Sequence, residues 1–171
     1  MLQHIQHGHS VEAIALKASR KHIGTPNVET YVIVQAVEGV PPGAYHYRGT
    51  DQRLERLAAG DFRNVAGFLC LEQPLARDAS AVLFYLADLR SIGAAFGERG
   101  YRLAELEAGL VAGRAYLAAY AVGRGATGLT FYDDEVTRFF SPHAAGLEPL
   151  LVVAVGVPAG HLSRDDTSRG L

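Results

Sequence analysis

Three stretches of the chain are dense in apolar residues, many of them β-branched or aromatic. They are residues 29–37 (ETYVIVQAV), residues 81–87 (AVLFYLA) and residues 150–155 (LLVVAV). Short continuous apolar runs of this composition are typical of strands that are buried in a sheet. The pattern therefore predicts a sheet whose main strands are covered by other parts of the chain.

A further strand is predicted directly after the first run. Pro41-Pro42-Gly43 fits a type II turn, in which proline takes the second position and glycine the third. Residues 44–47 (AYHY) then return as a short strand, and the polar residues 51–60 are predicted to form a connection with some helical character. Because this hairpin is combined with strands that helices separate, we expect a mixed sheet.

Helical patterns lie between and around these strands. The predicted helices are residues 10–19, capped by Ser10; residues 61–71, capped by Asp61 and ended by Pro74; residues 101–122; and residues 133–140, with acids in the first turn. Residues 90–100 are predicted to be a loop with one helical turn. The order α-β-β-α-β-α-α-β indicates an α+β or α/β chain, and we predict the α+β class: a central mixed β-sheet flanked by helices.

The long helix is unusually thin, because many of its side chains are small. It contains Gly109 and Gly113 among several alanines, and each internal glycine costs about 1 kcal/mol of helix stability relative to alanine. Two interpretations stay open: a buried central helix, or a helix that packs against a partner subunit. Residues 123–128 (GRGATG) match a dinucleotide-binding string, but they follow a helix and not a strand, so Gly123 is better explained as a helix C′ residue.

The composition narrows the class of protein. A chain of 171 residues fits one domain, and with a net charge of −2 nothing indicates a nucleic-acid-binding surface. The single cysteine, Cys70, cannot form a disulfide within the chain and is expected to be a small buried hydrophobe. No apolar stretch reaches the roughly 18 residues of a membrane span, and the first residues lack the pattern of a signal peptide. We expect a cytoplasmic protein with no membrane partner.

Several segments together resemble the nitroreductase-like flavoproteins, and in particular their SagB-type dehydrogenase branch, which includes the oxidases of azole-forming peptide pathways. The segments are GERGYR, LEAG, GRGATGLTFYDDEV, a late strand ending in VAVG, and the hairpin ETYVIVQAVEGVPPGAYHY. The similarity covers residues 24–156. It implies an FMN-dependent nitroreductase-like fold that forms an intertwined homodimer, with the flavin at the interface between the subunits.

The resemblance also implies positions for the flavin ring. In the family, backbone near the glycine-rich segment approaches the ring, which corresponds here to Gly125, Ala126 and Thr127. Residues 24–27 (GTPN) are similar to the family's Ser-Gly-x-x-Asn loop, so Asn27 is a predicted flavin contact, with a plain turn residue as the alternative. The Gln-Pro-Trp segment that follows this loop in the family is missing.

This chain differs from the family in the segment that binds the FMN phosphate. Relatives open with an Arg-x-Ser-x-Arg-x-Phe segment that holds the FMN phosphate, and this chain is expected to start too late to contain it. The substitute cations would be Arg20, Lys21 and His22, or Arg164 and Arg169 in the polar tail over residues 157–171. The alternative is that these side chains are ordinary surface charges.

Few residues suggest acid–base chemistry or metal binding. The azole-forming oxidases carry a Lys-Tyr pair where this chain has Ala95-Phe96, so azoline oxidation by that route is not expected. The terminal segment contains His4, His7 and His9, but no metal site is predicted there or elsewhere. His143 is expected to be a loop or pocket histidine. Glu107 within the apolar helix is expected to be structural, with a partner among Arg99, Arg102 and Arg114.

Two functions follow from these observations. The first is an FMN-dependent oxidoreductase that acts on a small-molecule or peptide substrate, with NAD(P)H as a possible electron donor and no identified catalytic residue. The second is a shortened, non-catalytic relative that serves as a binding or structural subunit. A homodimer is expected for the enzyme, and the missing phosphate-binding segment favours the second function.

Overall fold

The computed structural model of the chain describes residues 28–158. Some predictions fall on the other segments and lie outside the described residues. They are the helix over residues 10–19, most of the polar tail, the terminal histidines, and the predicted contacts of Arg20, Lys21, His22, Asn27, Arg164 and Arg169.

The centre of the fold is a six-stranded sheet with the strand order β3-β2-β1-β4-β6-β5. The strands are β1 (Val28–Val34), β2 (Gly43–Arg48), β3 (Arg53–Ala59), β4 (Ala81–Ala87), β5 (Gly125–Leu129) and β6 (Glu148–Gly156). The three apolar runs are thus confirmed as β1, β4 and β6. They lie side by side in the middle of the sheet, where both faces are covered.

The sheet is antiparallel and not mixed. Every pair of neighbouring strands within residues 28–158 is antiparallel, so the predicted mixed sheet is wrong. The prediction missed two strands: β3 takes the place of the polar connection over residues 51–60, and β5 takes the place of the glycine loop.

The two faces of the sheet pack against different helices. The helices are α1 (Arg63–Leu69), α2 (Pro74–Asp78), α3 (Leu89–Phe96), α4 (Arg99–Ala121) and α5 (Asp133–Phe140). Side chains alternate along the central strands, so Leu83 and Tyr85 pack in the cluster that contains α4. Val82 and Phe84 pack in the cluster that contains residues of α1, α2 and α5. This arrangement gives the predicted α+β layers, with helices on both sides of the sheet.

The ends of the helices differ from the predictions in three places. Helix α1 ends at Leu69, and Pro74 is the first residue of α2, as expected of proline at a helix start. The N-cap residue of α1 is Phe62 and not the predicted Asp61, although the Asp61 side chain accepts the N–H of Arg63 at 2.9 Å. Residues predicted as loop form α3, which Asp88 caps by accepting the N–H of Ser91.

The β1–β2 connection turns at a different place from the predicted one. The tight turn spans residues 37–40, where the N–H of Val40 donates to the carbonyl of Val37 and Gly39 has φ +78°. Gly43 is instead the first residue of β2. A Cβ atom at Gly43 would lie 2.6 Å from the carbonyl oxygen of Ala58, so glycine is needed there for close strand approach.

Helix α4 has one buried face and one exposed apolar face. Small residues such as Ala104, Ala108 and Ala115 pack against the sheet. The opposite face exposes Leu106, Leu110 and Leu117, and a Cβ built at Gly113 would meet no atom within 4 Å. Gly123 follows the helix with φ +70°, which confirms it as the C′ residue. Within residues 28–158, no helix has the length and apolar character to cross a membrane.

Candidate functional site

The glycine-rich segment after α4 is an edge strand. Within residues 28–158, β5 pairs with β6 alone, from Gly125↔Gly156 to Leu129↔Val152. An edge strand keeps a row of backbone N–H and C=O groups outside the ladder on its open side. Gly125, Ala126 and Thr127 are half-buried and have short side chains. A flat ligand can therefore approach these backbone groups closely.

A cavity of about 340 Å³ lies at this strand. Gly125, Ala126 and Thr127 line it together with the end of β6 and with Leu75 and Asp78 of α2. The lining is mainly apolar. Asp78 supplies an acidic side chain, and none of the described lining residues is cationic.

These residues suit one half of the FMN molecule. The flavin ring is flat, and its rim carries hydrogen-bonding atoms, which fits an apolar cavity beside an open strand edge with small side chains. A phosphate monoester carries close to two negative charges and binds where cations or several N–H donors converge. Because the described lining offers Asp78 and no cation, it fits the ring and not the phosphate.

Val28, the residue after the predicted contact Asn27, lies at the opposite end of the sheet from Gly125, Ala126 and Thr127. Asn27 is outside the described residues, but it is bonded to Val28, which pairs with Ala87 at one end of β4. Ala126 pairs with Val155, which pairs with Ala81 at the other end of β4. Six residues of strand separate the two ends, or roughly 20 Å. Within residues 28–158, the chain therefore does not bring Val28 close to Gly125, Ala126 and Thr127.

Ala95 and Phe96 lie at the C-terminal end of α3. Phe96 is 51% exposed, and both residues are on the surface of the chain. Neither has a titratable group, so this position does not supply a proton donor or acceptor.

A second cavity, of about 470 Å³, lies on the side of the sheet near the other edge. Phe62, Phe139 and Phe140 line it, together with His143, as expected of a pocket histidine. The ring of His143 lies against that of His46, with centroids 4.4 Å apart. Sequence reasoning missed His46, although it stands in the strand AYHY beside buried residues.

A chain of hydrogen bonds connects these histidines to their surroundings. His46 Nε2 lies 2.8 Å from Glu29 Oε2, and the Tyr31 hydroxyl lies 2.9 Å from His143 Nδ1. The hydrogen bond to His46 is the main reason that the pKa of Glu29 is below its ordinary value, and it outweighs the partial burial of this carboxyl. Burial raises the pKa of Tyr31, so this hydroxyl keeps its proton.

Two other residues that the sequence singles out are buried. Cys70 is fully buried, and burial raises the pKa of its thiol to about 12. This confirms it as a small hydrophobe and not a reactive thiol. Glu107 is only 9% exposed within α4. The identity of its arginine partner stays a prediction.

Comparisons with known protein families and sequences give matches over most of the chain. The model of the nitroreductase family matches residues 5–161. A protein of Methanocaldococcus jannaschii that is named as a nitroreductase is 30% identical over 130 residues, which are 75% of this chain and 64% of that protein. This chain thus spans just under two thirds of the length of that relative.

Solved structures share the fold. A nitroreductase-type protein of Anabaena variabilis superposes with a TM-score of 0.77 at 29% identity, over 86% of this chain and 32% of that one. A chain of the Escherichia coli microcin synthetase complex McbBCD gives a TM-score of 0.70 at 20% identity, over 86% of this chain and 62% of that one. The family match, the curated relative and the antiparallel sheet with helices on both faces agree, and the chain belongs to the nitroreductase family.

Proposed function

We propose that this protein is an FMN-dependent oxidoreductase related to the SagB-type dehydrogenases. The observation that supports this most is the open edge of β5, where Gly125, Ala126 and Thr127 line a mainly apolar cavity. A bound flavin supplies hydride transfer between a donor and an acceptor. The chain's own contribution is to hold the ring against backbone groups and to limit its contact with water.

The proposed active unit is a homodimer, because Val28, next to Asn27 in the sequence, lies far from β5 within one chain. Asn27 follows from the resemblance as a ring contact, and it adjoins the end of the sheet opposite to Gly125. In a symmetric dimer, Asn27 of one subunit can approach β5 of the other. The exposed apolar face of α4 supports such an interface, since Leu106, Leu110 and Leu117 are 64–71% exposed in one chain.

The remaining assignments of the enzyme are proposals on the same basis. Arg20 and Arg164 would neutralise the FMN phosphate, since the described cavity lining has no cation. NAD(P)H is the proposed electron donor. The substrate is a small molecule or a peptide, and azoline oxidation is disfavoured by Ala95 and Phe96.

A second candidate function is a non-catalytic binding or structural subunit. The specific observation in its favour is that Asp78 is the one charged residue among the described residues that line the cavity at β5. Like charges in one cavity repel each other, so this lining would weaken the binding of an anionic cofactor unless cations come from elsewhere.

Flavin binding separates the two functions. The full chain is incubated with FMN, passed over a desalting column and examined by visible absorbance, and its affinity is measured by the quenching of flavin fluorescence. We expect FMN to stay bound in about one copy per chain. Thr127→Phe, which fills the cavity beside β5, should abolish binding, whereas Thr50→Phe on an exposed turn should not change it.

The same titration with riboflavin tests the phosphate half. If Arg20 and Arg164 bind the phosphate, FMN should bind more tightly than riboflavin, and Arg20→Ala and Arg164→Ala should remove that difference. Equal affinity for both flavins would contradict the phosphate assignment alone. A colourless protein after incubation with FMN would rule out the oxidoreductase.

A further inference from the structure

We propose that His46, Glu55 and His143 form a binding site for one divalent transition-metal ion of the Zn²⁺ type. One ligand atom from each side chain lies within 4.8 Å of the other two. The residues come from β2, from β3 and from the segment after α5, and His46 and Glu55 are direct partners across the β2–β3 pair. The site lies near the edge of the sheet opposite to β5, so it is separate from the proposed flavin site.

His46 is already arranged as a metal ligand. Its Nε2 lies 2.8 Å from a carboxylate oxygen of Glu29, which can only accept a hydrogen bond, so Nε2 carries the hydrogen. In the neutral ring, Nδ1 then holds a free electron pair. The side chain is 90% buried, and Nδ1 has no hydrogen-bond partner among the described residues. A histidine that donates one nitrogen to a carboxylate and offers the other is the usual arrangement of a metal-binding imidazole.

His143 can offer its other nitrogen in the same way. The Tyr31 hydroxyl lies 2.9 Å from His143 Nδ1 and 3.4 Å from the His143 carbonyl oxygen. When the hydroxyl donates to the carbonyl, its oxygen accepts the hydrogen of Nδ1, which leaves the electron pair on Nε2. Metal binding selects this tautomer. The two imidazole rings are already in contact, with centroids 4.4 Å apart.

Glu55 completes a set of two imidazoles and one carboxylate. Its side chain is about half exposed, and Arg48 donates to one of its two oxygens at 3.2 Å. A carboxylate can bind an arginine and an ion together, because it has two acceptor oxygens. In a tetrahedral zinc site the ligand atoms are about 3.3 Å apart, given bonds of about 2.0–2.1 Å. The exposed carboxylate of Glu55 has the freedom to close the remaining distance.

Three protein ligands leave one coordination position of the ion open. Two histidines and one carboxylate are a known ligand set for zinc sites that keep a water or a substrate in the fourth position. His143 also lines the cavity of about 470 Å³, whose other walls include Phe62 and Phe139. A molecule in that cavity can therefore contact the ion.

The experiment measures zinc binding by the full chain. Protein is treated with a chelator, dialysed, and titrated with Zn²⁺ in a calorimeter and with Co²⁺ in a visible spectrometer. We expect one ion to bind at this site and Co²⁺ to develop the ligand-field bands of nitrogen and oxygen ligands. His143→Gln and Glu55→Gln should each weaken binding at least 10-fold, and Glu29→Gln, which acts through His46, by roughly 10- to 100-fold.

Two controls separate this site from other sources of binding. Glu72→Gln should leave the zinc affinity unchanged, because Glu72 is an exposed carboxylate that also pairs with an arginine at 3.2 Å. The triple variant His4→Gln/His7→Gln/His9→Gln should keep the ion as well. Absence of zinc binding, or binding that the triple variant loses and His143→Gln retains, would overturn the proposal.

The zinc-binding measurements still test the site if one variant does not fold or if the protein binds no flavin. Circular dichroism checks the fold of each variant, and the exposed Glu55→Gln gives a decision even if a histidine variant unfolds. FMN titration of the chelated protein is independent of the metal, so failure of one proposal leaves the other testable. Zinc binding that Glu55→Gln and His143→Gln both leave unchanged would also exclude this site.

Discussion

Single small residues determine how closely backbones approach in this fold. Gly43 begins β2 where the neighbouring strand carries the carbonyl of Ala58, and a Cβ atom would lie 2.6 Å from that oxygen. Backbone on both sides is held in strands, so it cannot move away cheaply. Gly93 in α3 is the opposite case, because a Cβ built there meets no atom within 4 Å.

This contrast predicts opposite effects of the same substitution. Gly43→Ala should lower the free energy of unfolding by about 1–3 kcal/mol through steric strain. Gly93→Ala should raise it by up to about 1 kcal/mol, since alanine is the better helix former. Urea unfolding followed by circular dichroism measures both changes, and a Gly43→Ala protein as stable as the parent would contradict the close approach.

Residues could be predicted from the sequence where their own neighbours determine their role. Gly123 is predictable as a helix C′ residue and Cys70 as a buried hydrophobe, because the local sequence carries these signals. The cluster of His46, Glu55 and His143 could not be found, since a strand pair and a distant loop bring these residues together. The alternation of apolar and polar residues along a strand can predict that a histidine is buried, but it does not predict which residues the histidine contacts.

At the scale of elements, α4 presents two different faces. Its alanines pack against the sheet, while Leu106, Leu110 and Leu117 follow one another at helical spacing on the exposed side. Gly113 lies between Leu110 and Leu117 on that side, and it leaves a depression there. An apolar strip of this length in one chain indicates an interaction surface.

Filling the depression should disturb a dimer that uses this face. We expect Gly113→Leu to shift the protein from dimer to monomer in size-exclusion chromatography with light scattering. Gly93→Leu makes the same chemical change on a helix position that also has free space, and it should leave the mass unchanged. An unaltered dimer with Gly113→Leu would place the interface on another surface.

Elements were predictable from the sequence when apolar residues dominate them and not when they lack an apolar pattern. The strands β1, β4 and β6 and the helix α4 stand out because apolar residues fill them. Strand β3 is largely exposed and charged, and β5 is mostly glycine and other small residues, so neither has a strand pattern. Pairing with one neighbour is enough to hold each of them, and this tertiary effect overrides local propensity.

At the scale of the whole molecule, the proposed homodimer would build its flavin site from two subunits. The strand that carries Gly125 and the start of β1 next to Asn27 lie at opposite ends of the sheet. A complete site then requires association, so the free energy of flavin binding and that of dimerisation are coupled.

The coupling can be measured through stability. At an FMN concentration 100 times the dissociation constant, we expect the free energy of unfolding of the dimer to rise by about 2.7 kcal/mol per chain. The Gly113→Leu variant, if monomeric, should gain almost nothing. Thermal unfolding at one protein concentration, with and without FMN, provides the comparison. Equal stabilisation of the monomeric variant would mean that one chain holds the whole flavin site.

The two edges of the sheet also differ in how they resist unwanted association. The outer strand β3 carries Arg53, Glu55 and Arg56, and charges of this kind discourage pairing with a strand of another molecule. The outer strand β5 has no charged side chain in Gly125–Leu129. A ligand or protein surface that covers β5 in the functional protein therefore also protects this open edge from pairing with strands of other molecules. Protein stored without that cover should be the form most prone to precipitate.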